Sequence, residues 1–248
     1  MTNEQGLNIP EIEWNWEDAS YFADWHEPIY ELMARYVQPA SKVLEVGAGA
    51  SHTLAAIAGR LQCRAFGVEP DANGIRKVKE LAEQESGKVE IVQGDGFCLP
   101  FDNGEFDAVY SLGLIEHFDP KQSEELVREH ARVCKDGGAV IVAVPNWLNF
   151  PHTIRKYWLG PRYEYHPERS YSPRELKKTI IACGLTVQNV DGILPLWGLG
   201  MTPSVGWRAI ALLDRLGVSR RLRELEDPKL RATLGFMTYV VGIKKQLS

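Results

Sequence analysis

Gly47 and Gly49 stand two residues apart in the stretch Lys42 to Ser51, KVLEVGAGAS, with Glu45 before them and Ser51 after. Glycines at that spacing let a chain turn sharply and approach a ligand with no side chain in between. A carboxylate two residues ahead of the turn can accept hydrogen bonds from an ammonium group, which suits an amino-acid ligand better than a diphosphate. A second apolar run, CRAFGVEP, ends in Glu69 and Pro70. It lies about 20 residues beyond the turn, the distance at which an acidic side chain takes both hydroxyls of a ribose. Pro70 is then placed to pack on a base. Asp95 sits between two glycines in Gly94-Asp95-Gly96-Phe97, and His117 follows a further apolar run.

These residues need strands to end together and helices to start beside them. Val43, Leu44 and Val46 suit a buried parallel strand. Leu54, Ile57, Ala58 and Leu61 recur at helical spacing, so the first N–H groups of that helix point back at the glycine turn. Residues 63–70 read as a second strand, and a helix from near Asp71 carries Ile75, Val78, Leu81 and Ala82 inward. Lys88 to Gln93 reads as a third strand and Phe106 to Leu112 as a fourth. Asp119-Pro120 caps a helix, Gly137-Gly138 turns into a fifth strand, AVIVAV, and Ser172-Pro173-Arg174-Glu175 is a capping box with proline at the first helical position. Residues 185–190 are expected as the sixth strand and 237–243 as the last.

Glu45-x-Gly47-x-Gly49 resembles motif I of the class I S-adenosylmethionine-dependent methyltransferases, with Ser51 where a third glycine is frequent. GDGFCLPF and FDAVYSLGLIEHF resemble the small-molecule branch of that family. The resemblance implies a Rossmann-like α/β fold, a doubly wound, mostly parallel seven-stranded sheet of order 3-2-1-4-5-7-6 with the last strand antiparallel. It also implies S-adenosylmethionine as cofactor and S-adenosylhomocysteine as product. Asp95 matches the aspartate that accepts from the adenine amino group, with Gly96 and Phe97 flanking the ring, and Leu112 closes the strand beside them. Many relatives carry an N-terminal helical cap with a tyrosine on the cofactor, which points to Tyr21. The dinucleotide fingerprint is disfavoured, because His52 occupies the place of its third glycine.

A chain of 248 residues with net charge −5 suits one sizeable α/β domain and has no global basic field for nucleic acid. The expectation is one methyltransferase domain over 1–248: an aromatic N-terminal cap over 1–40, a cofactor-binding core over 41–146, and insertions over 147–171 and 194–236 that cover the acceptor. Cys63, Cys98, Cys134 and Cys183 are scattered and read as buried, reduced thiols rather than a zinc site or disulfide framework. No run approaches a membrane span and the N-terminus is polar, so a cytoplasmic location is expected. Arg220, Arg221 and Arg223 read as a solvated helix face, with a membrane-surface patch as the lesser alternative.

Methyl transfer is an in-line displacement that requires alignment and the management of one proton. His117 beyond the fourth strand is the leading base candidate, followed by His152, Tyr165 and His166 in the first insertion. Only Glu116 and Asp119 lie near the fourth strand's end, too few for a metal site, so metal independence is expected. The acceptor class that fits is a small or mid-sized, aromatic or apolar molecule such as a natural product, quinone precursor or lipid-linked intermediate. A non-catalytic S-adenosylmethionine-binding regulatory or partner-binding protein is the alternative, and oligomeric state is left open.

Overall fold

The computed structural model describes residues 26–49, 51–84, 88–163, 168–196, 199, 206–223 and 226–245. Its centre is a seven-stranded sheet of order β3-β2-β1-β4-β5-β7-β6. The strands are β1 Lys42–Val46, β2 Arg64–Glu69, β3 Val89–Gln93, β4 Phe106–Leu112, β5 Cys134–Pro145, β6 Leu185–Ile193 and β7 Met237–Lys244. The first five run parallel, whereas β7 is antiparallel to both β5 and β6.

Period-two alternation splits the apolar residues between two faces. Val43, Ala65, Ala108, Tyr110, Ile141 and Val241 pack on one side with Ile29 and Met33 of α1 (His26–Met33), Leu54 and Ile57 of α2 (His52–Arg60), and Val78 of α3 (Ala72–Gln84). Leu44, Val46, Phe66, Val109, Val140 and Val142 pack on the other with Leu126 and Val127 of α4 (Pro120–Val133) and Leu176 and Ile180 of α6 (Pro173–Ala182). The expected caps are present: Asp119 and Ser172 each close a capping box, with proline in the first turn.

β5 begins at Cys134, earlier than the apolar run AVIVAV indicates, because Cys134 already pairs with Phe106 ahead of a register shift. β6 likewise continues to Ile193. The first insertion holds α5 (Phe150–Leu159) and a 3-10 turn, Gly160–Arg162; the second holds α7 (Gly206–Arg215), α8 (Val218–Arg223) and α9 (Pro228–Leu234). Both insertions leave from one sheet edge, since Pro145 pairs with Met237 and Met237 with Ile193. Cys63 and Cys134 are buried, but Cys98 is exposed, contrary to expectation, because it follows the Asp95 turn on the surface.

Candidate functional site

The expected site residues of β1 to β4 come together where those parallel strands end. After β1 the chain turns through Gly47 at φ +72° and Gly49 at φ +46°. Gly47 and Ala48 donate their amides to the Val68 carbonyl at 2.9 and 3.0 Å, so the turn is held against β2. A Cβ at Gly47 would also lie 2.9 Å from Cδ1 of Leu114, so that side chain would have to shift. Gly49 then donates its amide to Oε2 of Glu69 at 2.8 Å, and Asp71 donates its amide to Oε1 at 3.0 Å. Each carboxylate oxygen has a second lone pair, so Glu69 keeps acceptor capacity after taking both amides.

Ser51 caps α2, accepting from the Leu54 amide, and donates its hydroxyl to Oε2 of Glu45 at 2.6 Å. Tyr110 donates to the same oxygen at 2.8 Å from β4, where it stands in register with Glu45. Burial pushes Glu45 up to about 8 despite both hydroxyls, and the neighbouring Glu69 adds to the rise. Burial also pushes Glu69 up to about 7, opposed by the Asp71 and Gly49 amides. Two buried carboxylates within mutual influence are a poor arrangement for a closed core and a good one for receiving a cationic or hydroxyl-rich ligand.

Asp95 follows β3, and its Oδ1 accepts from the Phe97 amide at 2.9 Å, so the carboxylate shapes its own turn. Gly96 fits between Leu126 and Val46, whose side chains would meet a Cβ at 3.0 and 3.1 Å. Phe97 packs edge-on against Phe118 with ring centroids 5.1 Å apart. Pro70 accepts from the Gln93 side chain through its carbonyl at 3.0 Å, linking the ends of β2 and β3. Leu112 ends β4, partly buried.

His117 lies in the 3-10 turn Ile115–His117 directly beyond β4 and is partly exposed. His152 is enclosed: its ring packs edge-on against Phe236 at 4.9 Å and Tyr163 at 5.8 Å, with Nε2 3.5 Å from Oε1 of Glu168. That same carboxylate oxygen takes Lys156 Nζ at 2.9 Å. Burial would raise Glu168, yet His152 and Lys156 together hold it below the usual carboxylate range. Glu116, fully buried beside this group, is pushed well up by burial and by Glu168. Tyr21, Tyr165 and His166 lie outside the described residues. Among the described residues no three His, Cys, Asp or Glu side chains stand close enough to hold a metal ion.

Tyr110 and Leu114 escaped the sequence reading. Nothing along the chain links Tyr110 to Glu45; only the register of β1 on β4 does.

A family model described as a methyltransferase domain matches residues 43–138. Ajmaline N-methyltransferase of Rauvolfia serpentina is 31% identical over 102 residues, which span 40% of this chain and 34% of that protein. Sterol 24-C-methyltransferase erg6 of Aspergillus fumigatus is 28% identical over 149 residues, 55% of this chain and 38% of that protein. The chain thus spans little more than a third of the length of these curated relatives. In structure, one chain of the complex between the Haloferax volcanii Trm112 methyltransferase activator and the putative methyltransferase superposes with a TM-score of 0.69 at 20% identity, covering 96% of this chain and 100% of that one. The match lies over the strands and turns that carry Glu45, the two glycines, Glu69 and Asp95, so residues 43–138 are similar to a methyltransferase domain of the S-adenosylmethionine-dependent type.

Proposed function

We propose that the protein transfers a methyl group from S-adenosylmethionine to a small or mid-sized, aromatic or apolar acceptor, without a metal ion. The observation that carries this reading is the Gly49 amide on the Glu69 carboxylate, which sets a glycine turn and a buried acceptor side by side at the strand ends. When bound, the cofactor supplies an electrophilic methyl group on a sulfonium. Glu69 accepts from its ribose hydroxyls; Asp95, Gly96 and Phe97 hold its adenine, with Pro70 and Leu112 alongside. Glu45, oriented by Ser51 and Tyr110, faces its ammonium, and an arriving cation favours the ionised carboxylate that burial now disfavours. Tyr21 is the cap residue proposed to contact the cofactor.

The protein's remaining tasks are alignment and one proton. His117 stands at the edge where the parallel strands end and is the first candidate base; Tyr165 and His166 belong to the adjoining insertion, and His152 supports that insertion from inside. The apolar acceptor is supported by the aromatic first insertion beside β5 and by relatives named for ajmaline and a sterol. The insertions are read as the acceptor's cover.

Calorimetric titration with S-adenosylhomocysteine tests the cofactor assignment, with NADH in parallel. Methyl transfer from labelled cofactor to pools of phenols, amines and apolar lipids then tests catalysis by the isolated chain. Tight binding with no transfer to any pool would favour a non-catalytic cofactor-binding protein, and preference for NADH would overturn the assignment.

A further inference from the structure

We propose that the outer face of α5, with the adjoining helices of the second insertion, docks on an anionic lipid bilayer. The helix carries two unlike sides. Inward, His152 and Thr153 are buried and Lys156 is tied to Glu168 and Ser170. Outward, Phe150, Ile154, Tyr157 and Trp158 recur at helical spacing on one stripe, 69%, 66%, 70% and 83% exposed. Trp147 extends the stripe, its ring edge-on to Tyr157 at 6.2 Å. Isolated exposed apolar residues are ordinary, whereas a contiguous aromatic stripe of this kind marks a surface made to be covered.

The second insertion is tied to the start of the same helix. Asn149, the cap of α5, donates its side-chain amide to the carbonyls of Pro195 and Leu234, at the two ends of the second insertion. Leu212 and Leu216 at α7 and Leu230 and Leu234 on α9 are also exposed.

Charge selects the occupant. In a chain of net charge −5, residues 147–163 hold no acidic residue and residues 206–223 carry five arginines against Asp214 alone, while Lys156 is neutralised inward by Glu168 and Arg155 lies over the Tyr163 ring. Arg162, Arg208, Arg215 and Arg221 are exposed. Trp, Tyr and Phe beside arginines are the groups that settle at the boundary between headgroups and acyl chains, and anionic headgroups complement the basic flanks. A second copy of the chain would instead bring the basic stretches against themselves.

Co-sedimentation of the full chain with vesicles tests the proposal. Binding to phosphatidylcholine mixed with phosphatidylglycerol should exceed binding to phosphatidylcholine alone by about tenfold and weaken in high salt. The Phe150→Ser, Trp158→Ser double variant should lose about tenfold in vesicle binding while its melting temperature and S-adenosylhomocysteine affinity stay unchanged. Absence of binding to the mixed vesicles, or equal binding by the double variant, overturns it. So does sedimentation velocity showing a wild-type dimer that the double variant abolishes, without vesicle binding, which would make the stripe a self-interface. None of these readouts depends on methyl transfer, so failure here leaves the catalytic proposal standing.

Discussion

Gly49 gives its amide proton to the Glu69 carboxylate across 2.8 Å, which ties the turn after β1 to the end of β2. The bond makes the turn's shape and the acceptor's position a single feature. Removing the carboxylate therefore loosens the turn and, on the proposed assignment, deletes a ligand contact with it. Glu69→Ala is expected to weaken S-adenosylhomocysteine binding by about tenfold to a hundredfold, as for one or two hydrogen bonds to a charged group. Glu69→Gln, which keeps one acceptor oxygen, should fall between. Calorimetry on samples with matched circular dichroism checks this; unchanged affinity in the alanine variant would remove Glu69 from the site.

The raised carboxylates predict a pH dependence of definite sign. Burial lifts Glu69 to about 7 and Glu45 to about 8, against about 4.3 in an unfolded chain. The ligand-free fold therefore holds more protons than the unfolded chain in between, and its stability declines as pH rises from about 5 toward about 8. A ligand that needs both groups ionised binds in the opposite sense, its affinity increasing over that window. Melting temperatures with and without S-adenosylhomocysteine, measured across that range, should show the ligand-induced gain growing with pH. A gain that is flat or shrinks would show that neither carboxylate meets the ligand as an anion.

Tyr110→Phe isolates the contact that links β4 to β1. The hydroxyl donates to Glu45 at 2.8 Å, stabilising the ionised form. Without it, Glu45 is more often protonated at neutral pH, and cofactor affinity should drop about threefold to tenfold, with the drop recovered at higher pH. A loss equal at all pH values would assign Tyr110 to packing alone.

The parallel sheet and its glycine turn were legible because each apolar run ends in residues whose backbone or charge suits only a strand end. The Glu45–Tyr110 contact was not, since it depends on which strands become neighbours and in what register. His152 illustrates the same limit: its sequence neighbours are aromatic and basic, but its environment comes from Phe236, more than eighty residues away, and from Glu168. The outer stripe of α5 was visible only as aromatic content. Its exposure became evident once β5 and β7 had fixed where the helix stands.

His117→Ala separates proton handling from cofactor binding. The side chain lies beyond β4, past Leu114, whose own side chain covers Gly47. It is expected to lower turnover by about a hundredfold while leaving S-adenosylhomocysteine affinity nearly intact. The pH profile of the residual activity should lose its acidic limb. Equal losses in turnover and affinity would assign His117 to the architecture of the turn.

Glu116 offers a test of the buried polar group under α5. Its Oε2 has no hydrogen-bond partner among the described residues, and burial with Glu168 nearby raises it well above the usual range. A carboxyl that stays protonated in the fold but ionises in the unfolded chain withdraws stability as pH climbs above about 4.3, by about 1.4 kcal/mol per unit, until its folded value is reached. Glu116→Gln has nearly the same shape and no such titration. Its melting temperature relative to wild type should therefore rise as pH climbs above the ordinary carboxylate range. Parallel curves would mean that Glu116 is ionised in the fold, held by Lys156 and its surroundings.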